Sequence, residues 1–275
     1  MTSLLVQTHI EKFETSLQEY MAHRRAESPG VDNLFHSMNY SLFNGGKRFR
    51  PLLCYAVGEA LGAGPDFITP FAMAVECIHT YSLIHDDLPC MDNDDVRRGQ
   101  PTNHKRFSED IALLAGDALL TEAPLILARA YGERSGALIE SLCHAAGASG
   151  MIRGQVLDLG HGDSVDSLES LINLHEQKTG QLIAACFVGP ALILQRPHKE
   201  LAELGFLLGL AFQVKDDVLD SHEEDNQSFV AFLGLEGAEN YLQSLTEKIQ
   251  RALREADMDT PFLRELIEYN LNRKL

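Results

Sequence analysis

Two clusters of aspartates, each placed directly after an apolar segment with a helical pattern, constrain this chain more than any other feature. The first cluster puts five aspartates within ten residues, namely Asp86, Asp87, Asp92, Asp94 and Asp95. Carboxylates packed this closely repel one another, so they must be solvated or neutralised by cations. A solvated acidic loop is the simpler interpretation of such a run. The return of the same elements far downstream, in FQVKDDVLD at residues 212–220, favours two carboxylate walls that face a shared site.

The downstream cluster predicts which carboxylates share a face. Asp216 and Asp220 are four residues apart with no glycine or proline between them. On a helix they lie on one face, whereas Asp217 points well away from it. The segment therefore presents a pair of carboxylates to one side.

In the upstream cluster, the helix must be interrupted before two of its carboxylates can face the same side. Asp86 and Asp92 are six residues apart, and an unbroken helix would point them in different directions. Pro89 ends or kinks the helix, so an irregular turn can return Asp92 to the side of Asp86. Hard oxygen ligands, with no His or Cys grouping at zinc spacing, favour Mg²⁺. Because Mg²⁺ is usually held by one or two carboxylates plus substrate phosphates, we expect a phosphorylated substrate between the two walls.

Basic residues gather where a phosphate would need them. In GGKRFRP, Gly45-Gly46 allows a backbone turn and Pro51 suits the first turn of a helix. The cations then stand at a helix N-terminus, which itself favours an anion; they are Lys47, Arg48 and Arg50. A solvated basic loop is the alternative.

Three further groups are candidates for phosphate contacts. His79 lies about two helical turns before Asp86 on a similar face, although a packed or capping histidine is the alternative. Arg97 and Arg98 follow the first aspartate cluster and bring guanidinium groups beside it. In Lys178-Thr179-Gly180, the glycine interrupts a helical pattern and predicts a local break that turns the lysine inward, unless it is a surface lysine.

Composition restricts the class of protein. A net charge of −17 argues against nucleic acid or an anionic membrane as a general partner. The five cysteines are scattered and predict reduced thiols rather than disulfides or a metal site. The N-terminal residues lack a secretory pattern, and no run of about 18 apolar residues predicts a transmembrane helix. We expect a soluble, cytoplasmic protein with no stable membrane insertion.

The periodicity of the chain predicts helices throughout. We expect them over residues 4–23, 31–43, 71–88, 111–131, 138–158, 201–219, 241–256 and 261–273. No convincing alternating strand pattern, repeat or long linker interrupts them. The sequence therefore predicts one all-α domain over residues 1–275, with central helices around a deep cavity.

Four motifs in order resemble the trans-prenyl diphosphate synthases, most closely those of the bacterial farnesyl type. The motifs are GGKRFRP, ECIHTYSLIHDDLPCMDNDDVRRG, QKTG and FQVKDDVLD, and the resemblance is close over residues 40–220 and looser elsewhere. It implies the isoprenoid-synthase fold, a helical bundle that usually forms a homodimer. It also implies condensation of isopentenyl diphosphate with an allylic diphosphate, such as dimethylallyl or geranyl diphosphate.

The resemblance assigns roles by matching position. A cluster of Mg²⁺, with three ions, would sit on the allylic diphosphate, held by Asp86, Asp92 and Asp216 with support from Asp87 and Asp220. The same diphosphate would be contacted by Arg97, Lys178 and Lys215. A cationic pocket for isopentenyl diphosphate would consist of Lys47, Arg50, His79 and Arg98. The reacting centre would be lined by Thr179 and Gln213, whose dipoles would steady the allylic cation.

Product length would depend on the apolar space beneath the first aspartate motif. Tyr81 and Ser82 lie five and four residues before Asp86, and the aromatic Tyr81 would form a floor. With the insertion of Pro89-Cys90, this resembles the pattern of enzymes that form C15 products. Farnesyl diphosphate is the expected product, with geranyl and geranylgeranyl diphosphate as alternatives.

One segment departs from the family pattern. After the second aspartate motif, family members usually carry a Gly-Lys and then a Lys-x-Thr segment, whose lysines help to close the site. Here DSHEEDNQSFVAFLGLEGAENY is shorter, contains no lysine and has Glu223, Glu224 and Asp225 instead. This favours, as an alternative, a non-catalytic member that binds diphosphates or partners another subunit. A third alternative is a terpenoid enzyme that does not use isopentenyl diphosphate. It is disfavoured because this chain retains the cationic pocket expected to bind isopentenyl diphosphate.

Overall fold

The computed structural model of the chain describes residues 3–222 and 227–271. They pack as two compact units. Unit 1 comprises Met1–Tyr55 and Pro65–Gly136, and unit 2 comprises Ala56–Gly64 and Ala137–Leu275. Apart from one short hairpin, all regular structure in the described ranges is helical, so the all-α prediction is confirmed. A single domain over residues 1–275 stays a prediction.

The described part of unit 1 contains six α-helices and the hairpin. The helices are α1 (Leu4–Glu27), α2 (Asp32–Phe43), α3 (Phe49–Ala60, whose last turn belongs to unit 2), α4 (Pro65–Asp86), α5 (Asn103–Arg106) and α6 (Glu109–Tyr131), and a 3₁₀ turn follows at Gly132–Arg134. The strands are β1 (Val96–Arg97) and β2 (Gln100–Pro101). The helices over residues 4–23, 31–43 and 111–131 are confirmed, while the one expected over 71–88 begins six residues earlier.

Apolar spacing explains how α1 packs in unit 1. The helix begins after Ser3, whose hydroxyl accepts a hydrogen bond from the backbone N–H of Val6. Its buried apolar residues recur at intervals of four or seven residues and are Val6, Phe13, Leu17 and Met21. The stripe faces the interior while the remaining positions stay polar, as expected for a helix on the outside of a core.

Two helical stretches are long and apolar enough to cross a membrane by length and composition alone. They are Pro65–Asp86 and Glu109–Asp158, the second of which runs over more than one helix. In the first, 72% of the apolar window is buried inside the structure. A core helix of a globular protein has this character, so composition here reflects burial in the fold.

The β-hairpin is a difference from the sequence prediction. Arg98 and Gly99 form its two-residue loop, and both have positive φ, at 54° and 73°. A loop of this kind matches the twist of two antiparallel strands. The strands have only two residues each, too few for an alternating pattern to be recognised.

Unit 2 contains the remaining helices. They are α7 (Ser135–Ala146), which begins in unit 1, α8 (Met151–Asp158), α9 (Leu168–His175), a π-helical turn (Glu176–Gly180), α10 (Gln181–Ile193), α11 (Lys199–Leu219), α12 (Phe229–Glu255) and α13 (Pro261–Leu271). The single helix expected over residues 138–158 is wrong, because the chain breaks between α7 and α8. Two glycines and a serine lie in that break, and glycine weakens a helix interior.

The start of α12 also differs from the prediction. The helix begins at Phe229 rather than at residue 241, and it is kinked at Gly234, where φ is 70°. Ser228 caps its first turn by accepting a hydrogen bond from the backbone N–H of Ala231. The acidic residues Glu223, Glu224 and Asp225 lie outside the described residues.

Candidate active site

The first aspartate motif forms the irregular turn that its proline predicts. Helix α4 ends at Asp86, and the backbone N–H of Asp92 donates to the carbonyl of Asp86 at 2.8 Å. Asp86 is half-buried and Asp92 is exposed. The predicted return of Asp92 to Asp86 is therefore confirmed for the backbone, and it places two carboxylate-bearing residues at one edge of unit 1.

Asp87 occupies a different environment from its neighbours. Its side chain is buried, and its Oδ1 accepts from Nε of Arg97 at 2.6 Å. Arg97 also approaches Asp94 at 3.7 Å. Burial raises the pKa of the Asp87 carboxyl, although the charge and hydrogen bond of Arg97 oppose the rise. The geometry indicates that Asp87 orients Arg97, which extends its assigned supporting role.

The predicted basic pocket, a name used below for Lys47, Arg50, His79 and Arg98, belongs to unit 1. Lys47 is exposed on the loop before α3, and the other three members lie near one another. Nη1 of Arg50 lies 3.4 Å from Nε2 of His79. Burial holds the pKa of His79 well below its ordinary value, and the nearby guanidinium groups, first that of Arg50, lower it further. His79 is thus a neutral imidazole among cations. Such a gathering of positive charge is stabilised by a bound anion.

Arg98 is held by the glycine turn that precedes α3. Its Nη1 donates to the carbonyl of Gly45 at 2.8 Å. A Cβ built on Gly46 would lie 2.8 Å from the same nitrogen, so the guanidinium rests directly on this glycine. Gly46 also has a φ of 110°, which other residues rarely adopt. The two glycines therefore allow the backbone turn and leave room for the Arg98 guanidinium to pack against it.

Arg48 has a separate task although it lies between Lys47 and Arg50 in sequence. It is 3% exposed, and its Nη1 donates to Oε1 of Glu76, also 3% exposed, at 2.8 Å. Its Nε donates to Glu14 at 3.1 Å. This buried ion pair ties the loop to α1 and α4. Arg48 is a structural cation behind the basic pocket.

Substitution of Gly46 by alanine is expected to weaken the basic pocket. The added methyl would displace the Arg98 guanidinium, so KM for isopentenyl diphosphate should rise about tenfold, the effect of losing one charge-assisted contact. Isopentenyl diphosphate is the substrate that the resemblance assigns to this pocket, and initial-rate kinetics with its concentration varied measure the change.

Gly45→Ala is the matched control for this substitution. Gly45 also has positive φ, at 73°, but a Cβ there would meet nothing within 4 Å. It should suffer the backbone strain without the displacement of Arg98. Equal changes of KM in the two variants would contradict the proposal that Gly46 positions the Arg98 guanidinium.

The second aspartate motif lies at the end of α11 in unit 2. Asp220 follows the last helical residue, and its backbone N–H donates to the carbonyl of Asp216 at 2.9 Å. Asp217 is turned elsewhere, because its Oδ2 accepts from the backbone N–H of Phe229 at 2.6 Å. The predicted separation of Asp217 from the other two aspartates is confirmed.

Lys178 and Thr179 lie in the π-helical turn, so the predicted local break is confirmed. Nζ of Lys178 pairs with Oδ2 of Asp158, from α8, at 2.5 Å. A Cβ on Gly154 would approach the backbone N of Lys178 to 2.2 Å, which explains why a glycine stands where α8 crosses the turn. Sequence reasoning did not predict that Asp158 is the ion-pair partner of Lys178.

Thr179 and Gln213 are neighbours, as the resemblance requires of groups at one reacting centre. The hydroxyl of Thr179 donates to Oε1 of Gln213 at 3.0 Å. Gln213, Asp216 and Asp220 recur at intervals of three and four residues, so they lie on one face of α11.

Lys215 lies apart from these groups. It lines a cleft of about 780 Å³ between α11, α12 and α13, and among the described lining residues the other cations are Arg254 and Arg264. Since consecutive helical residues are about 100° apart, Lys215 does not share the face of Asp216 and Asp220. Its assignment to the allylic diphosphate stays a prediction without geometric support.

The two predicted chain-length residues lie one turn before Asp86 in α4. Tyr81 is 5% exposed, its ring edge meets the ring of His85 at 5.7 Å, and its hydroxyl has no hydrogen-bond partner among the described residues. Burial raises the pKa of Tyr81 to about 12. Ser82 donates to the carbonyl of His79 at 2.9 Å. Tyr81 is thus an inward-facing aromatic group.

The donor chemistry of the aspartate motifs fits Mg²⁺. Their side chains offer carboxylate oxygens, the ligands that this ion prefers. Within residues 3–222 and 227–271, no group of three or more His, Cys, Asp or Glu side chains is arranged to hold a metal ion. Mg²⁺ is usually held by one or two carboxylates together with phosphate oxygens and water, and the aspartates supply ligands of that type.

Comparisons with known proteins point to one family. The family model described as polyprenyl synthetase matches residues 31–229. A farnesyl diphosphate synthase of Geobacillus stearothermophilus is 44% identical over 278 residues, covering 93% of this chain and 92% of that protein. The apo structure of an FPP/GFPP synthase from Zymomonas mobilis is 33% identical with a TM-score of 0.87, covering 98% of this chain and 99% of that one. A geranyltransferase from Helicobacter pylori, complexed with magnesium and isoprenyl diphosphate, is 36% identical with a TM-score of 0.82, covering 99% and 98%.

Proposed function

Because the chain belongs to the polyprenyl synthetase family and has its all-α isoprenoid-synthase fold, we propose that it is a prenyltransferase that makes farnesyl diphosphate from isopentenyl diphosphate and an allylic diphosphate. The allylic substrates are dimethylallyl and geranyl diphosphate. The observation that carries the proposal is the presence of both a carboxylate turn at Asp86 and Asp92 and a basic pocket in unit 1. The carboxylate turn suits a diphosphate that is bound through metal ions, and the basic pocket suits a diphosphate that is bound without metal.

The basic pocket is the proposed site of isopentenyl diphosphate. Lys47, Arg50 and Arg98 supply positive charge, and the neutral imidazole of His79 can donate one N–H. A bound diphosphate would lower the mutual repulsion of these groups and raise the pKa of His79. Arg48 and Glu76 support the pocket from behind.

The aspartate motifs are the proposed site of the allylic diphosphate. Asp86, Asp92 and Asp216 would hold Mg²⁺, with Asp220 in support and with Asp87 orienting Arg97. The family resemblance implies three ions. The carboxylate oxygens support Mg²⁺ as the ion, because it prefers oxygen ligands. When bound, Mg²⁺ supplies stabilisation of the negative charge on the departing diphosphate.

The remaining groups act on the reacting atoms. When the allylic C–O bond breaks, its electron pair leaves with the diphosphate, whose charge Arg97 and Lys178 would stabilise. Asp158 keeps the Lys178 ammonium in place before the substrate arrives. The hydroxyl of Thr179 and the amide of Gln213 would direct their oxygen dipoles toward the allylic cation.

The carbon–carbon bond forms next. The alkene of isopentenyl diphosphate attacks the allylic carbon, and the resulting cation loses a proton, which the released diphosphate can accept. No histidine base is required for these steps. The cation does need a site poor in water, which apolar helices supply.

Product length would be limited by Tyr81. Its buried ring lies one turn before Asp86, where a growing apolar chain attached to the diphosphate would meet it. This favours a C15 product. Geranyl and geranylgeranyl diphosphate are the alternatives, and removal of the Tyr81 ring should lengthen the product.

Omission of one substrate tests the reaction class. With Mg²⁺ and both substrates we expect release of pyrophosphate together with a longer prenyl diphosphate. With geranyl diphosphate alone we expect neither pyrophosphate nor a hydrocarbon product. Rapid pyrophosphate release without isopentenyl diphosphate would indicate a terpenoid enzyme that only ionises its substrate.

The lysine-free segment after Asp220 favours a second candidate, a diphosphate-binding subunit without catalysis. Calorimetry with inorganic pyrophosphate and Mg²⁺ separates it from the first. Tight binding without any turnover would favour the second candidate, whereas turnover excludes it.

We also propose a homodimer in the cytoplasm. In unit 1, Leu113 and Leu114 of α6 are 46% and 51% exposed. In unit 2, Ile152, Val156 and Leu159 make an exposed apolar stripe on α8. Adjacent exposed apolar residues mark surfaces that a second copy can cover. All five cysteines are free thiols, which suits a reducing compartment.

Leu114→Glu is expected to shift the dimer toward monomer. A carboxylate buried without a partner at the contact would weaken association by at least about tenfold. Light scattering after size-exclusion chromatography measures the mass. Phe67→Glu is the matched control, because Phe67 is 70% exposed in the same unit and should not change the mass. An unchanged mass in Leu114→Glu, or a monomeric native protein, would contradict this interface.

A further inference from the structure

The first turn of α12 is held by two side chains, one from the residue just before the helix and one from α11. Ser228, which precedes the helix, accepts from the backbone N–H of Ala231 at 3.1 Å. Asp217, from α11, accepts from the backbone N–H of Phe229 at 2.6 Å. A charged acceptor near a helix N-terminus is favoured by the unsatisfied N–H groups and the helix dipole. The second aspartate motif is therefore fastened to α12 by the aspartate that faces away from the candidate metal ligands.

The ring of Phe229 extends this connection to the lysine-bearing turn. It is 0% exposed and stacks on His175, with ring centroids 5.4 Å apart and an interplanar angle of 26°. On another side it meets Tyr241 at 5.8 Å. His175 is the last residue of α9 and directly precedes the π-helical turn that carries Lys178 and Thr179. One residue thus contacts the aspartate motif through its backbone and the support of the lysine turn through its ring.

We propose that Asp217, Phe229 and His175 form a brace that positions the second aspartate motif and the Lys178 turn for diphosphate binding. The inference rests on the proposed function and adds residues that act through others. The end of a helix frays unless neighbouring groups hold it, and Asp216 and Asp220 lie in the last turn of α11 and just after it. Pinning Asp217 fixes the rotation of that turn and hence the direction of both carboxylates.

The brace has particular value in this chain. The segment between Asp220 and Ser228 contains no lysine, so cations from it cannot draw the end of α11 toward a bound diphosphate. The connection to Phe229 orders the motif without such cations. It sets the carboxylates before substrate arrives, which lowers the entropic cost of binding.

Three variants test the brace through binding as well as turnover. Asp217→Ala removes the acceptor, Asp217→Asn retains an oxygen without the charge, and Phe229→Leu keeps a buried apolar group but removes the ring stack. The probe is inorganic pyrophosphate in calorimetry, with and without Mg²⁺, and KM is measured for each substrate. We expect Asp217→Ala and Phe229→Leu to reduce the Mg²⁺-dependent affinity and raise KM for the allylic diphosphate about tenfold. The pyrophosphate affinity and the allylic KM of Asp217→Asn should lie between those of these two variants and those of the native protein. In all three variants, KM for isopentenyl diphosphate should stay within about twofold of the native value.

Ser228→Ala is the matched control because it removes a cap from the same helix turn and leaves the Asp217 carboxylate and the Phe229 ring in the chain. It should lower Tm and leave both KM values unchanged. The double variant Asp217→Ala/Phe229→Leu should bind no more weakly than the weaker single variant, since both changes break one connection.

Other outcomes would overturn the brace. If Ser228→Ala alters the allylic KM as much as Asp217→Ala does, the effect is one of general stability. If Asp217→Ala alone loses affinity while Phe229→Leu does not, Asp217 acts directly on the metal. A native protein that binds pyrophosphate with Mg²⁺ but never elongates a primer would refute the proposed function, and the binding comparison would still decide the brace.

Discussion

Asp86→Ala is expected to lower kcat/KM by at least about 10²–10³-fold while the protein stays folded, because the carboxylate would hold the ion that stabilises charge in the transition state. Asp86 ends α4 with its side chain half-exposed, so its removal costs little packing. Initial rates with Mg²⁺ varied measure the effect, and circular dichroism reports the fold.

Asp95→Ala is the control for Asp86→Ala. Asp95 belongs to the same acidic loop, but its side chain is 73% exposed and pairs with Lys105 at 2.8 Å. Exposed pairs contribute at most about 1 kcal/mol, so this variant should retain activity and stability. Activity of Asp86→Ala close to that of the native protein would contradict the metal assignment.

Arg48→Met should give the largest loss of stability, about 3–5 kcal/mol in the free energy of unfolding, because it leaves Glu76 buried without its cation. At roughly 2–4 °C per kcal/mol for a chain of this size, Tm should fall by about 10 °C. Thermal and urea unfolding measure the change. The guanidinium also lies 5.9 Å from the ring centroid of Phe13, so packing against α1 is lost as well.

Two further variants separate the causes of that loss. Lys47→Met changes the exposed neighbour and should alter stability by no more than about 0.5 kcal/mol, while it raises KM for isopentenyl diphosphate. Arg48→Met/Glu76→Leu removes both charges and should regain part of the lost stability. Equal stability of Arg48→Met and Lys47→Met would contradict the structural role of Arg48.

Local chemistry explains why much of the site could be predicted from the sequence. Pro89 predicted a turn, and the hydrogen bond from Asp92 to Asp86 realises it. Helical spacing predicted that Asp217 would diverge from Asp216, which it does. These outcomes depend on a few consecutive residues, so periodicity and proline chemistry suffice.

Features that depend on tertiary contacts could not be predicted in the same way. Lys47 and Arg48 are adjacent cations in sequence, yet Arg48 pairs with Glu76 in the interior while Lys47 is exposed. Asp158 stands 20 residues before Lys178, and no local pattern joins the two. The early start of α12 depends on its contact with α11, which propensity does not report.

Lys215 is a prediction that the structure leaves without geometric support, and the helical period already separated it from its neighbour. It lies one residue before Asp216, which places it about 100° around the helix from the aspartate. The structure puts it in the cleft beside α12 and α13. Motif membership suggested a shared function, but the helical period already separated the two side chains.

Product analysis with isopentenyl diphosphate, Mg²⁺ and each of the C5, C10 and C15 allylic diphosphates in separate reactions tests the central claim most directly. We expect the C5 and C10 primers to yield a C15 prenyl diphosphate and the C15 primer to remain unextended. That result would also show that catalysis does not need lysines between Asp220 and Ser228. Failure to elongate any primer, in folded protein that still binds pyrophosphate with Mg²⁺, would contradict the account.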